Sequence, residues 1–187
     1  METRAFGRTG MRLSLLGFGC GAVGGLMVRG QRADQERTIA RALEAGVNYF
    51  DTAVQYGNGE SEKNLGRTLK ILKPADAIVG TKVRVPQEDY GRIDEAIVES
   101  LDGSLHRLGM ERVDILHLHN AITHAGGGES LSIDQVLQEV APAFDRLRRH
   151  GKIRFAGLTA IGETAALKNR VIGGAESLSE AAATLVA

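Results

Sequence analysis

The sequence holds a single cysteine, Cys20, so no disulfide can form within the chain and a reducing, cytoplasmic setting is expected. It lacks a surplus of either charge: 23 Lys and Arg stand against 23 Asp and Glu, a formal net charge of zero. Without such a surplus there is no electrostatic reason to expect a nucleic acid or an anionic membrane as partner. Long apolar runs are missing too. None approaches the roughly 18–20 residues that cross a bilayer, and the opening METRAFGRTGMRLSLLGFGC has no long h-region of a secretory leader. What is present, 187 residues of which 43% are hydrophobic and 25% charged, suits one soluble globular domain.

Short apolar runs alternate with amphipathic stretches. MRLSLLGF, 11–18, reads as a strand running into the glycine-rich segment 17–25. A helix is predicted over 34–45, with Asp34 as N-cap, Ile39 and Leu43 on one face and Gly46 as the stop. Residues 47–50 read as a buried strand ending at Asp51. The pattern then repeats: a helix over 61–72 capped by Ser61, a strand over 77–82, and a helix over 92–108 closed by Gly109. A strand VDILHLH spans 113–119, and a glycine loop at 126–128 follows it. A long helix over 132–150 is kinked or broken by Pro142, and a last strand covers 152–159. Near-continuous apolar strands alternating with helices predict an α/β fold with a parallel sheet covered on both faces. Two architectures satisfy this, an open doubly wound sheet or a β/α barrel.

Either architecture places function at the carboxyl ends of the strands. Reading off those ends gives Asp51, Lys82 and His119, with Tyr56 in the loop DTAVQYGNGE five residues past Asp51. An ammonium beside a phenol favours the phenolate, and a carboxylate beside the ammonium keeps it charged and oriented. A histidine can donate a hydrogen bond to a carbonyl oxygen that gains negative charge. Together these groups protonate a carbonyl oxygen while hydride reaches its carbon. No side chain supplies hydride, so a nicotinamide cofactor is implied.

The segments DTAVQYGNGESEKNLG, VGTK and VDILHLH resemble the aldo-keto reductases, (β/α)8 barrels that reduce carbonyls with NADPH. The resemblance runs from the N-terminal segment to about Thr159. It implies an incomplete (β/α)8-type barrel of about five parallel strands with covering helices over 1–172, and a short helical tail over 173–187. It implies Tyr56 as proton donor, Lys82 and Asp51 as the groups that tune it, and His119 as the orienter of the carbonyl. His117, two residues upstream, is expected in the core. For the cofactor, NADPH, the resemblance points to Gly19, Cys20 and Gly21 by their backbone, to Asp51, and to Thr159. Thr159 and Ala160 stand where relatives carry a Ser-Asn pair, so the hydroxyl is retained and the amide is not. A complete barrel needs about 250 residues, and no sequence for strands six to eight follows the fifth.

Each residue also has a plainer reading. Asp51 alone is a loop carboxylate or helix cap, Tyr56 a surface or packing tyrosine, Lys82 a solvated strand-end charge and His119 a satisfied core or surface histidine. Their combination at successive strand ends outweighs these. Elsewhere the plainer reading prevails. Arg146, Arg148, Arg149 and Lys152 suit a solvated helix C-terminus, the 126–128 loop a connector rather than a lid, and Cys20 a small buried residue. GFGCGAVGG matches a dinucleotide loop only loosely, because the next helix starts too late. The expected function is NADPH-dependent reduction of an aldehyde, ketone or sugar carbonyl, with no metal. The alternatives are a truncated non-catalytic barrel, self-associating to cover its sheet edges, and a binding or regulatory subunit on the same scaffold.

Overall fold

A computed structural model describes residues 1–21 and 23–159 of the chain. Its centre is a parallel sheet of five strands: β3 (Phe18–Gly19), β4 (Tyr49–Asp51), β5 (Ile78–Val83), β6 (Val113–Leu118) and β9 (Ile153–Leu158), adjacent in that order. Consecutive strands lie side by side and run the same way, and helices cross between them. That is the geometry of a growing β/α barrel.

The helices obey the sequence period. α4 (Ile93–Leu108) buries Ile93, Ile97, Leu101, Leu105 and Leu108, one stripe at spacings of three and four. Each such burial contributes roughly 1.5–3 kcal/mol before ordering entropy is charged against it. α3 (Glu60–Leu72) buries Leu65 and Leu69 and crosses the end of α4 at Gly66. A Cβ at Gly66 would lie 2.1 Å from the Leu108 carbonyl oxygen, so the two backbones approach as only glycine allows. α2 (Arg32–Glu44) and α6 (Ala141–Arg149) complete the outer layer with Ile39, Phe144 and Leu147.

The inner face of the sheet divides into two levels. At the strands' amino ends Met11, Ile78 and Ile115 form an apolar floor with Phe6, Leu13, Tyr49 and Phe155. Phe6, Met11 and Leu13 come from an antiparallel hairpin of β1 (Thr3–Ala5) and β2 (Arg12–Ser14). At the carboxyl ends the inner face turns polar.

Several boundaries differ from the sequence reading. The predicted strand over 11–18 divides into β2, which pairs back on β1, and β3, which joins the main sheet. Leu15 and Leu16 between them are exposed, so hydrophobicity there did not signal burial. Asp34 is not an N-cap: α2 starts at Arg32 after Gln31, and Asp34 sits in its first turn, paired with Arg37 at 2.5 Å. Ser61 is not a cap either. α3 starts at Glu60 after Gly59, at φ 87°, and the Ser61 hydroxyl is used elsewhere. The helix predicted over 132–150 is interrupted as Pro142 required: α5 (Ile133–Gln135), with a capping box of Ser132 and Gln135, runs through a π-turn (Val136–Val140) into α6. The wider turn precedes the proline, whose ring would otherwise meet the carbonyl four residues back. Short strands β7 (Ala121–Thr123) and β8 (Ser130–Ser132) flank the glycine loop. Among the described residues no helix is long and apolar enough to cross a membrane. The tail expected over 173–187 lies outside the described residues.

Candidate active site

Register decides which side chains meet. Asp51 pairs with Gly80, and Lys82, two residues on, pairs with His117. Period two therefore puts Asp51, Lys82, His117 and His119 on one inward face. Tyr56 arrives differently. After β4 the chain turns through Gly57, Asn58 and Gly59, all at positive φ (66°, 52° and 87°), which folds the tyrosine back over the sheet before α3 begins.

Lys82 is the hub. Its ammonium donates to Asp51 Oδ2 at 2.7 Å, to the Thr52 carbonyl at 2.9 Å and to Tyr56 Oη at 3.1 Å. An ammonium has three protons, and these three acceptors use them all. Lys82 is 6% exposed, so its side chain is shielded from solvent. Because Tyr56 Oη accepts from Lys82, its own proton is left to donate to a further group. His119 follows β6 and stands edge-on to the Tyr56 ring, with centroids 6.3 Å apart and planes at 89°. Its Nδ1 lies 3.2 Å from Gln55 Oε1. Burial lowers the His119 pKa, and Lys82 and Arg84 lower it further against Asp51, so the ring is neutral at neutral pH.

The loop is held from behind. The Ser61 hydroxyl donates to the Cys20 carbonyl at 2.9 Å and, with its proton so used, accepts from the Thr52 hydroxyl at 2.8 Å. Next to it Glu62 is fully buried, accepting from Thr81 Oγ1 at 2.5 Å and Arg107 Nε at 2.7 Å. This ties α3, which follows Tyr56, to the strand residue next to Lys82.

The structure thus brings Asp51, Tyr56, Lys82 and His119 to one rim. Around them the other expected residues vary. Gly19 has no atom within 4 Å of where a Cβ would stand, and a Cβ on Gly21 would touch the Tyr56 ring at 3.8 Å. Backbone without a side chain therefore borders the phenol at Gly21. Thr159 caps β9, its N–H and hydroxyl both on the Leu118 carbonyl at 3.1 and 3.3 Å. Cys20 is turned away: its thiol is buried, its N–H donates to the Asp51 carbonyl at 2.8 Å, and its carbonyl takes Ser61. Burial, ahead of Asp51, pushes that thiol up to about 12, the behaviour of a small core residue. His117 is half-buried with a buried, unpartnered Nδ1. The basic cluster is spent on ion pairs, Arg146 with Asp94, Arg148 and Arg149 with Asp145, and Lys152 with Asp102. Among the described residues no group of three His, Cys, Asp or Glu could hold a metal.

Sequence reasoning missed Tyr49, Gln55, Thr52 and Ser61. Tyr49 had a signal, since it precedes Asp51 by two in a strand and so shares its face. Ser61 and Gln55 had none, because their partners come from other segments.

Five parallel strands with crossing helices define an incomplete β/α barrel, and the candidate site lies at its polar carboxyl rim. The model of the aldo/keto reductase family matches residues 15–171, and the chain belongs to that family. It is 38% identical over 163 residues to L-galactose dehydrogenase of Arabidopsis thaliana, covering 86% of this chain and 49% of that one. An aldo-keto reductase from Bacillus halodurans, in its holo form, superposes with a TM-score of 0.68 at 32% identity, over 86% of this chain and 51% of that one. A Klebsiella pneumoniae aldo/keto reductase in complex with NADP and acetate gives 0.62 at 26%, over 83% and 48%. The chain spans about half the length of the curated relatives it matches.

Proposed function

We propose that this chain carries the proton-transfer half of an NADPH-dependent carbonyl reductase site acting on an aldehyde, ketone or sugar carbonyl. One observation carries the reading: the Lys82 ammonium donates to Tyr56 Oη, so the phenol's remaining proton is free for a substrate oxygen. When bound, the nicotinamide supplies hydride to the carbonyl carbon. Tyr56 gives its proton to the carbonyl oxygen, and the phenolate left behind sits against the Lys82 ammonium. Asp51 holds that ammonium in place. Neutral His119 offers an N–H to the same oxygen. The tautomer this requires carries its proton on Nε2, and Gln55 then turns its amide N–H toward Nδ1.

Gly19 and Gly21 would let the nicotinamide approach by their backbone, and Asp51 and Thr159 would offer it polar groups. Cys20 contributes through the turn it holds rather than by contact. An Arabidopsis thaliana relative named as a sugar dehydrogenase and a neighbour solved with NADP support the substrate class and the cofactor.

The test is NADPH oxidation with aldehyde and aldose substrates by the protein and by Tyr56→Phe. Loss of the proton donor should lower kcat by about two to four orders of magnitude while NADPH binding, followed by fluorescence, survives. Equal turnover in the variant removes Tyr56 from the role.

A second reading draws on the sheet edges: among the described residues β3 and β9 each pair on one side only. An open edge of this kind favours association with another chain, in a non-catalytic or regulatory scaffold. A self-associated mass in solution with no NADPH binding supports it; a monomer that binds NADPH stoichiometrically rejects it.

A further inference from the structure

Tyr49 lies two residues before Asp51 on β4 and faces the same way. Its ring belongs to the apolar floor with Ile78, Ile115 and Phe155, yet its hydroxyl reaches out of that floor to Asp51 Oδ1, 3.4 Å away. Lys82 holds the other oxygen, Oδ2, at 2.7 Å. The two oxygens of one carboxylate are thus divided between a phenol of the floor and the ammonium of the rim.

The space for that phenol is cut by two glycines on flanking segments. A Cβ at Gly80 would lie 2.6 Å from Tyr49 Oη, and one at Gly17 would lie 3.0 Å from the ring. Gly80 is the register partner of Asp51, so its missing side chain is the opening through which the hydroxyl reaches the carboxylate. Burial, and next Asp51, push the Tyr49 pKa up, so the phenol stays protonated and is the donor of this bond. A phenylalanine would fill the floor equally well. The hydroxyl is the part that packing does not require.

The geometry points to Tyr49 as a positioning residue for the candidate site: its hydroxyl pins Asp51 Oδ1, so that Oδ2 faces Lys82 and the ammonium in turn faces Tyr56. The Asp51 side chain is 29% exposed. With one oxygen released, the carboxylate can rotate and share Lys82 with water. The kinetic consequence rests on the function proposed above; the bond itself does not.

The experiment has two arms. In the first, the full chain is labelled at tyrosine 13Cζ, and spectra are taken in equal parts of H2O and D2O. The chain has three tyrosines, so Tyr49→Phe assigns the resonance directly. A slowly exchanging, hydrogen-bonded hydroxyl gives Tyr49 a resolved pair of lines, and Asp51→Ala should collapse that pair. In the second arm, Tyr49→Phe should lower kcat about three- to tenfold with KM for the carbonyl substrate held within about twofold, and should shift the unfolding midpoint no further than Tyr56→Phe does, as loss of one orienting bond demands. Gly80→Ala, which keeps the ring but fills the hydroxyl's place, should lose the pair as well. A single averaged line for Tyr49 in the unsubstituted protein, a pair that survives Asp51→Ala, or an unchanged kcat in Tyr49→Phe overturns the inference. Unchanged turnover in Tyr56→Phe beside an intact Tyr49 pair would instead sink the proton-donor reading and leave this bond standing.

Discussion

The two faces of the central sheet use the same strands for opposite ends. Outward, Phe50, Val79, Thr81, Val83, Leu116 and Leu118 meet the helices, and all of these side chains are buried. Inward, the same strands present Asp51, Lys82, His117 and His119, where the Lys82 ammonium is paired with Asp51. Burying an unpaired charge costs several kcal/mol, so each charge on the inner face must bring its partner. The difference teaches where this molecule stores its stability and where it gives some of it up. The outer layer is apolar contact that tolerates small errors. The inner rim is a set of bonds in which one lost partner strands the others.

That contrast predicts a ranking. The largest stability effect should come from the fully buried carboxylate of the outer layer, Glu62, with Thr81 and Arg107. Glu62→Ala strands Arg107 and should cost roughly 3–5 kcal/mol, read as the midpoint of urea unfolding; a loss below about 1 kcal/mol would put this pair with ordinary surface bridges. Next is Gly66→Ala, where a methyl would press on the Leu108 carbonyl at 2.1 Å. Forced separation of α3 from α4 should cost about 1–3 kcal/mol, by the same measurement. On the inner rim, Tyr56→Phe should leave unfolding within about 0.5–1.5 kcal/mol, the worth of one hydrogen bond, although it removes the proposed proton donor.

The smallest effect concerns pH. Burial lowers the His117 pKa, more than Asp51 raises it, with Lys82 lowering it again. A histidine whose folded pKa is depressed binds fewer protons folded than unfolded. Stability is therefore full above about pH 6.5, the unfolded value, and falls as pH drops below it toward the folded pKa. His117→Gln should flatten that fall when unfolding midpoints are compared at pH 7 and pH 5. An unchanged slope would mean that other groups, His119 among them, carry it.

Much of the architecture was legible because it is written in local periods. The stripe on α4, the glycine stop at Gly109 and the apolar run of β5 each depend on neighbours within a few turns. The exceptions share a cause. Leu15 and Leu16 look like strand core, but the chain there leaves one sheet for another. Ser61 and Asp34 look like caps, but a hydroxyl with the Cys20 carbonyl in reach and a carboxylate with Arg37 beside it took other partners.

By itself the sequence determined the alternation of strand and helix, the strand ends at which Asp51, Lys82 and His119 appear, and the family in which that order occurs. These are properties of one stretch of chain, set by its own spacing and turn residues. Tertiary structure alone decided that Lys82 spends its three protons on Asp51, Thr52 and Tyr56, that the Cys20 carbonyl takes the Ser61 hydroxyl, and that Gly80 opens a passage for the Tyr49 hydroxyl. Each of those facts depends on the register between separate strands, and register is set when the whole sheet closes over its core.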